Sequence, residues 1–365
     1  MIPERIIHII DNLQQVNFGI WNAAVATAPY FSEKKIITEL WFPKPDQLPK
    51  AESLNHVQMV QLDGSSYAFL RIIIKERNLD PKRDVIITHG TWQYPTKWGK
   101  KLKSLGFHWI YTPHGMLEPF DRKRKWLKKM IYFNLFEKTW ARKADTVRAV
   151  AQPEKNNLLK YFPNVVHIPN GIDEVSSPLI SKSIQPIIFL YMARLHAKKG
   201  IKELLEAWKQ SSLFQDRNYQ LIIAGPDDGQ KAFVESFISQ AGAKANMKYV
   251  GAIYGEEKIK LLSKSSFYIL PSYSEGFPTS VLEAMQFKNV CLITDGCNFP
   301  EAILSGVAIH ISPEVGALKA SLDHIKTFTS SDREELGAKA EAFVLKNYSL
   351  KQIAEKQLDL FLKCK

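Results

Sequence analysis

Phe267-Tyr268-Ile269-Leu270-Pro271-Ser272-Tyr273-Ser274-Glu275-Gly276-Phe277-Pro278-Thr279-Ser280-Val281-Leu282-Glu283-Ala284-Met285 reads as strand, turn and helix. The first four residues are a short apolar run with strand character, closed by Pro271 and Ser272. A glycine-containing turn follows, with Glu275 in it, and Glu283 falls near the start of the predicted helix. Free backbone N–H groups of such a turn and the N-terminus of such a helix point at one spot, and both attract an anion. Two carboxylates beside that cradle suit a ligand that is phosphate at one end and rich in hydroxyls elsewhere. A plainer reading competes. Ser280 and Glu283 fit S-x-x-E, so Glu283 can close a capping box, and Glu275 can be an ordinary loop acid.

The surrounding chain repeats this strand–turn–helix unit. Apolar runs predict strands at 6–10, 36–41, 57–61, 85–88, 109–112, 146–150 and 165–168. A second series follows at 187–192, 219–224, 247–250, 267–270, 290–293 and 308–311, with helical patterns between. Such alternation in two blocks predicts two α/β domains with parallel sheets, whose ligands bind outside the carboxyl ends of the strands. With 365 residues, two cores of ordinary size are expected, 1–170 and 171–347, followed by a predicted last helix at 348–365. A linker is expected between Asn170 and Pro186.

Composition narrows the class. Apolar and charged fractions of 45% and 24% are those of a globular protein, and no run of about 18 apolar residues offers a membrane span. The N-terminus reads as a first strand without a signal-peptide layout, and Cys291, Cys297 and Cys364 form no metal-ligand pattern. A reduced, cytoplasmic setting is the expectation. Residues 1–170 hold 26 Lys and Arg against 15 Asp and Glu, whereas residues 171–365 hold 23 against 22. The excess of positive charge therefore belongs to the first half.

Glu275 and Glu283, with seven residues between, resemble the E-x7-E element of the retaining glycosyltransferases of family 4, which have the GT-B fold. Ala193-Arg194-Leu195-His196-Ala197-Lys198-Lys199-Gly200 resembles that family's diphosphate-gripping element, and Thr112-Pro113-His114-Gly115-Met116 its N-terminal histidine element. Ile168-Pro169-Asn170-Gly171-Ile172-Asp173 resembles the interdomain crossing, and the resemblance implies that the last helix, 348–365, packs back on the first domain. The resemblance implies two Rossmann-like parallel-sheet domains facing across a cleft, and transfer of a hexose from a nucleotide sugar such as a UDP- or GDP-hexose. The acceptor would be a saccharide or lipid-linked saccharide in cell-surface polysaccharide synthesis, with no metal or further cofactor.

On that resemblance Arg194 and Lys199 hold the donor diphosphate, Glu275 contacts sugar hydroxyls, and Glu283 accepts from the ribose. Backbone at Gly276, Phe277, Thr279 and Ser280 supports the donor; Pro278, which has no N–H, stands where many members have glycine. Gly19, in a loop that carries two glycines in many relatives, is placed by the phosphate, with Gly225 and Ile253 by the nucleotide. His114 lies beside the donor sugar and steadies the transition state. His89 and Trp92, in a second strand–His–Gly arrangement, are expected on the acceptor side. Fixed cations aimed at a departing diphosphate are the strongest aid a protein gives to such a reaction.

Arg122, Lys123, Arg124, Lys125, Trp126, Lys128 and Lys129 mix cations with apolar residues and suggest an amphipathic helix on an anionic membrane, at the inner face. The competing reading is a solvated helix that packs its apolar stripe inward. Nucleic acid is not expected, since no DNA- or RNA-binding motif accompanies the charge. Two other functions compete: a catalytically silent binding subunit at the membrane, and a dinucleotide-dependent oxidoreductase. The oxidoreductase predicts G-x-G-x-x-G after the first strand, where 17–22 offer one glycine.

Overall fold

The structure is a computed structural model that describes residues 2–14, 18–45, 48, 54–119, 126–175, 182, 185–242 and 245–363. The chain divides into two compact units, Met1–Asp173 with Tyr348–Lys365, and Glu174–Asn347. Arg122, Lys123, Arg124, Lys125, Cys364 and most of the expected linker lie outside the described residues.

The first unit carries a seven-stranded sheet in the order β3-β2-β1-β4-β5-β6-β7. These strands are β1 (Arg5–Ile9), β2 (Ile37–Pro43), β3 (Gln58–Leu62), β4 (Asp84–His89), β5 (His108–Thr112), β6 (Thr146–Ala149) and β7 (Val165–His167). The second unit carries β8 (Ile187–Met192), β9 (Tyr219–Ala224), β10 (Met247–Tyr249), β11 (Phe267–Leu270), β12 (Val290–Ile293) and β13 (Ala308–His310). Its order is β10-β9-β8-β11-β12-β13, and every pairing in both sheets is parallel. The two sheets are Rossmann-like, and each strand lies within two residues of its expected place.

Burial explains why the runs were readable. β4 and β11 are buried along their whole length, since helices cover both faces of a parallel sheet. Each fully buried Ile or Leu of such a strand contributes about 1.5–3 kcal/mol. The helix Leu350–Lys363 belongs to the first unit, where Ile353 and Phe361 join Ile6, Phe31 and Ile110 in one cluster. Thr27 Oγ1 donates to Gln357 Oε1 at 3.0 Å and ties that helix down.

In both sheets the order reverses beside the first strand: between β1 and β4, and between β8 and β11. Loops leaving adjacent strands at such a point diverge and open a crevice at the carboxyl ends. All the motif residues leave strands at these ends.

Candidate functional site

In the second unit, β8 runs into Ala193 and Arg194, then a tight turn at Ala197–Lys199, then the helix Ile201–Gln210. His196 caps that turn, its Nδ1 accepting from the Lys198 N–H at 3.0 Å. Gly200 enters the helix at φ 69°, and a Cβ there would come within 2.1 Å of the Pro271 carbonyl oxygen. Only glycine lets the loop after β8 pass so close to the loop after β11. The two loops are also joined by the Tyr273 N–H, which donates to the Lys198 carbonyl at 2.8 Å.

That closeness brings Lys199 and Glu275 into direct contact, Nζ on Oε2, with both residues buried. Glu275 is held by its backbone as well. Its N–H donates to the Gly296 carbonyl at 2.8 Å, and Asn298 Nδ2 donates to its carbonyl at 2.6 Å. Glu275 Oε1 is buried and unpartnered among the described residues. A buried acceptor left in that state costs about 1–3 kcal/mol, which a hydroxyl donor would recover. The Tyr191 hydroxyl is likewise buried without a partner; burial first, then the carboxylates of Glu275 and Glu203, hold its phenol well above the ordinary range.

Glu283 lies on the helix Thr279–Gln286 and pairs with Lys258 Nζ at 2.9 Å. The capping box does not form. Pro278 occupies the cap position, and Ser280 Oγ accepts from the Tyr268 hydroxyl at 2.7 Å. With no cap to close, Glu283 keeps its carboxylate at the surface. The Thr279 N–H donates to the Phe277 carbonyl at 3.0 Å, and the Phe277 ring meets Phe299 edge to face at 5.5 Å. Gly276 and the buried Pro278 stand between these contacts and Glu275.

Arg194 Nη1 reaches Asp228 Oδ2 at 2.9 Å, with both side chains about a third exposed. Gly225 has φ 147°, and a Cβ there would fall 1.8 Å from the Ala193 carbonyl oxygen, so packing of strand ends alone requires glycine. Ile253 is half-buried in the loop after β10. The partners Lys258, Asp228 and Asn298 were missed in the sequence, because none carries a local signal.

In the first unit the carboxyl ends of β1, β4 and β5 hold three histidines. His8 pairs in register with Ile87, two residues before His89, and His89 with Thr112, two residues before His114. Residues two apart share a face of a strand, so the stagger lines the rings up. His8 Nδ1 is 2.9 Å from His89 Nε2, and His89 Nδ1 is 2.8 Å from His114 Nε2. The rings stack with centroids 5.1 Å apart at each step. Both ring nitrogens of His89 are thus engaged and the residue is buried, leaving it no free group for an acceptor.

Burial, then the positive charge of Arg148, lowers His8 to about 3. His114 falls to about 3 by burial, then Arg148 and His8. His89 is lowered well below its ordinary value by burial and its two neighbours. All three are neutral at pH 7. Arg148 itself donates to the carbonyls of Ile168 and Pro169, each at 2.9 Å, and so fixes the start of the Pro169-Asn170-Gly171 crossing. His114 adopts the left-handed region at φ 55°, sparsely used outside glycine. The Gly115 N–H next to it donates to Glu154 Oε1 at 2.6 Å. Burial pushes the Glu154 carboxyl up to about 7 despite that bond.

Trp92 packs sideways. Its ring lies 6.0 Å from Tyr132 and 6.3 Å from Phe133, with Lys129 Nζ 5.8 Å above it. Gly19 sits exposed in the helix Phe18–Val25 with open space where a Cβ would be. The helix Trp126–Tyr132 continues through a π-helical turn at Phe133–Glu137 to Lys138–Ala141. Phe133 and Glu137 turn inward, but Trp126, Leu127, Met130, Ile131, Leu135 and Phe136 are exposed. Of the apolar residues in the stretch 122–133, Phe133 thus packs inward as the competing reading expects, whereas Trp126, Leu127, Met130 and Ile131 do not. Among the described residues no helix is long and apolar enough to cross a membrane, and no cluster of His, Cys, Asp or Glu is arranged to hold a metal ion. A cavity of about 440 Å³ in the first unit is lined by Tyr67, Arg71, Lys100, Lys101, Ser104 and Lys143, and by none of the motif residues.

Two family profiles match the chain: "Glycosyl transferases group 1" over residues 180–348 and "Glycosyltransferase Family 4" over residues 34–175. A similar curated protein is the N,N'-diacetylbacillosaminyl-diphospho-undecaprenol alpha-1,3-N-acetylgalactosaminyltransferase of Campylobacter jejuni. It is 30% identical over 143 residues, covering 39% of this chain and 35% of that protein. The O-antigen chain mannosyltransferase B of Escherichia coli is 22% identical over 133 residues, covering 36% and 35%. The chain thus spans about a third of the length of these two relatives. Solved structures match nearly end to end. A glycosyltransferase from Rickettsia africae superposes with a TM-score of 0.75 at 17% identity, covering 99% of this chain and 98% of that one. Anabaena HepE in complex with UDP and glucose gives 0.75 at 14% identity, covering 99% and 100%. The fold is GT-B.

Proposed function

We propose a function from the premise that this chain belongs to the glycosyl transferases of group 1, family 4. It moves a hexose from a nucleotide sugar to a saccharide or lipid-linked saccharide acceptor, with retention at the anomeric carbon and without a metal. The observation that carries this reading is the buried Lys199–Glu275 pair with Glu275 Oε1 unpartnered. A cation and an acceptor side by side are what a ligand with a phosphate next to a hydroxyl-bearing sugar requires. The donor's diphosphate would take Lys199 and Arg194, and a sugar hydroxyl would donate to Glu275. The ribose hydroxyls would donate to Glu283, which Lys258 steadies. The Anabaena relative, whose structure contains UDP and glucose, has the same fold.

In the reaction the bond from the anomeric carbon to the diphosphate oxygen breaks while the acceptor oxygen bonds to that carbon on the same face. The acceptor's proton passes to the departing phosphate oxygen, and the charge that develops there is offset by Lys199 and Arg194. His114 would donate to the sugar. The curated relatives named above act on an undecaprenol-linked saccharide and an O-antigen chain by their names. A role in cell-surface polysaccharide synthesis follows by similarity. The exposed stripe Trp126, Leu127, Met130 and Ile131, beside the basic run 122–125, would rest on the anionic inner face of the cytoplasmic membrane.

Titration with UDP-, GDP- and ADP-hexoses, followed by product analysis of the anomeric configuration, tests the reaction. Binding of none of them, or an inverted product, would sink it. Sedimentation with phosphatidylglycerol vesicles tests the surface: the wild type should sediment and the Trp126→Ser, Leu127→Ser, Ile131→Ser variant should stay in solution.

A further inference from the structure

The histidine row in the first unit has a direction. A neutral imidazole has one N–H and one lone pair, so a chain of rings joined nitrogen to nitrogen has only two states, each fixing every proton. In one, each ring donates from Nδ1 towards His114; in the other, each donates from Nε2 towards His8. The free ends decide between them. His8 Nε2 is buried with no partner among the described residues, and an orphaned buried N–H is rarer than an orphaned acceptor. The lone pair therefore stays at His8 Nε2. Its Nδ1–H then donates to His89 Nε2, and His89 Nδ1–H to His114 Nε2. His114 is left with its proton on Nδ1, the nitrogen that has no protein partner among the described residues.

We propose that His8 is a positioning residue: acting through His89, it fixes the proton of His114 on Nδ1, so that His114 meets the bound sugar as an N–H donor. This rests on the placement of His114 at the donor sugar given above. His8 touches no substrate and acts only by setting the tautomer. Without the row, a neutral His114 would present a lone pair for part of the time and the transition state would lose a donor for that fraction.

The test starts with the intact wild-type protein carrying ¹⁵N-labelled histidine. Long-range ¹H–¹⁵N correlation at pH 8 should show all three rings protonated at Nδ1. A His114 protonated at Nε2 overturns the proposal, and this measurement makes no demand on a variant's folding. His8→Asn and His8→Asp then form a pair of equal size in which only the amide can donate to His89. His8→Asp should reverse the row, move the His114 proton to Nε2 and lower kcat about 10²-fold with little change in KM. His8→Asn should keep the wild-type tautomers and rescue kcat. Reversed tautomers with unchanged kcat overturn the catalytic claim, as does an equal loss in both variants. A wild-type turnover in His114→Ala would instead strike the reading that places His114 at the sugar, while the tautomer pattern stands on the spectra.

Discussion

The second unit meets its ligand end with ions held in pairs: Lys199 with Glu275, Lys258 with Glu283, Arg194 with Asp228. The first meets its own with buried neutral rings, His8, His89 and His114 in a row. The fold is the same in both, a parallel sheet with loops leaving its carboxyl ends. What differs is the state in which polar groups are stored. Paired ions can exchange a carboxylate for a phosphate at modest cost, since the cation is never left bare. Buried neutral rings cannot gain charge cheaply, but they hold a hydrogen-bond donor in one orientation. A departing diphosphate calls for the first kind of group, whereas a neutral hydroxyl can be met by the second.

Acid should separate the units most strongly. The folded values of His8 and His114 lie near 3, below the ordinary 6.5, and His89 is lowered too. Above pH 6.5 both folded and unfolded rings are neutral and the stability is fully present. Below it the unfolded chain takes up protons that the folded unit refuses, so each ring removes about 1.4 kcal/mol per pH unit until the folded value is reached. Glu154, raised to about 7, works the other way: it destabilises as pH rises from 4.5 to 7, and so offsets part of one histidine's loss on acidification. In the second unit Lys182, lowered to about 7, has already lost its contribution by pH 7 and changes nothing further in acid. Hydrogen exchange between pH 7 and 4.5 should therefore show peptides of β1, β4 and β5 opening well before those of β8 and β11. Opening of β8 and β11 first would contradict the contrast between the units.

Turnover should fall next most. Lys199→Ala removes the cation aimed at the leaving group, and loss of one such donor lowers kcat about 10²–10³-fold. It also strands Glu275, and breaking a buried pair from one side costs about 3–5 kcal/mol of stability. Lys199→Ala with Glu275→Gln removes that charge. If the double variant regains stability without regaining turnover, the pair serves the reaction rather than the fold; recovery of both would make it structural only. Glu283→Ala should act on affinity: loss of a charged acceptor for the ribose weakens nucleotide binding by about 1.5–3 kcal/mol, read by calorimetry against the free nucleoside diphosphate. An unchanged dissociation constant would return Glu283 to the surface.

The legible parts were those with a local cause. Strands such as Phe267–Leu270 are unbroken apolar runs because both faces of a parallel sheet are covered, and the motif residues follow them directly. What escaped is decided by contacts between distant segments. Ser280 fits a capping box by spacing, but the chain enters the helix two residues earlier than that pattern assumes, with Pro278 at the cap, and Tyr268 takes the hydroxyl instead. At Gly225 the approach of the Ala193 carbonyl, which no local pattern shows, already requires glycine. His89 resembled a second site histidine because it repeats the strand–His–Gly pattern of His114. Its place inside a row follows only from the register of three strands, as does the part of His8, which has no glycine after it. Local spacing finds loops, whereas register assigns their tasks.

Arg194 offers the smallest and sharpest test of paired storage. Its partner Asp228 is about a third exposed, as is Arg194 itself, and an exposed ion pair contributes about 0–1 kcal/mol, much of it screened by salt. Asp228→Asn should thus leave the melting temperature within a few degrees of wild type. The guanidinium would lose its resting carboxylate but keep its charge, so a nucleoside diphosphate would no longer compete with Asp228 for it. Affinity for that ligand should rise by a factor of about five or less, since about 1 kcal/mol is the most the pair withholds. The gain should shrink as salt is raised towards 1 M, where exposed charges are screened over about 3 Å. A variant that binds the diphosphate more weakly would mean that Asp228 orients Arg194 towards the ligand. Pairing would then act as alignment at that position, and storage would describe Lys199 and Lys258 alone.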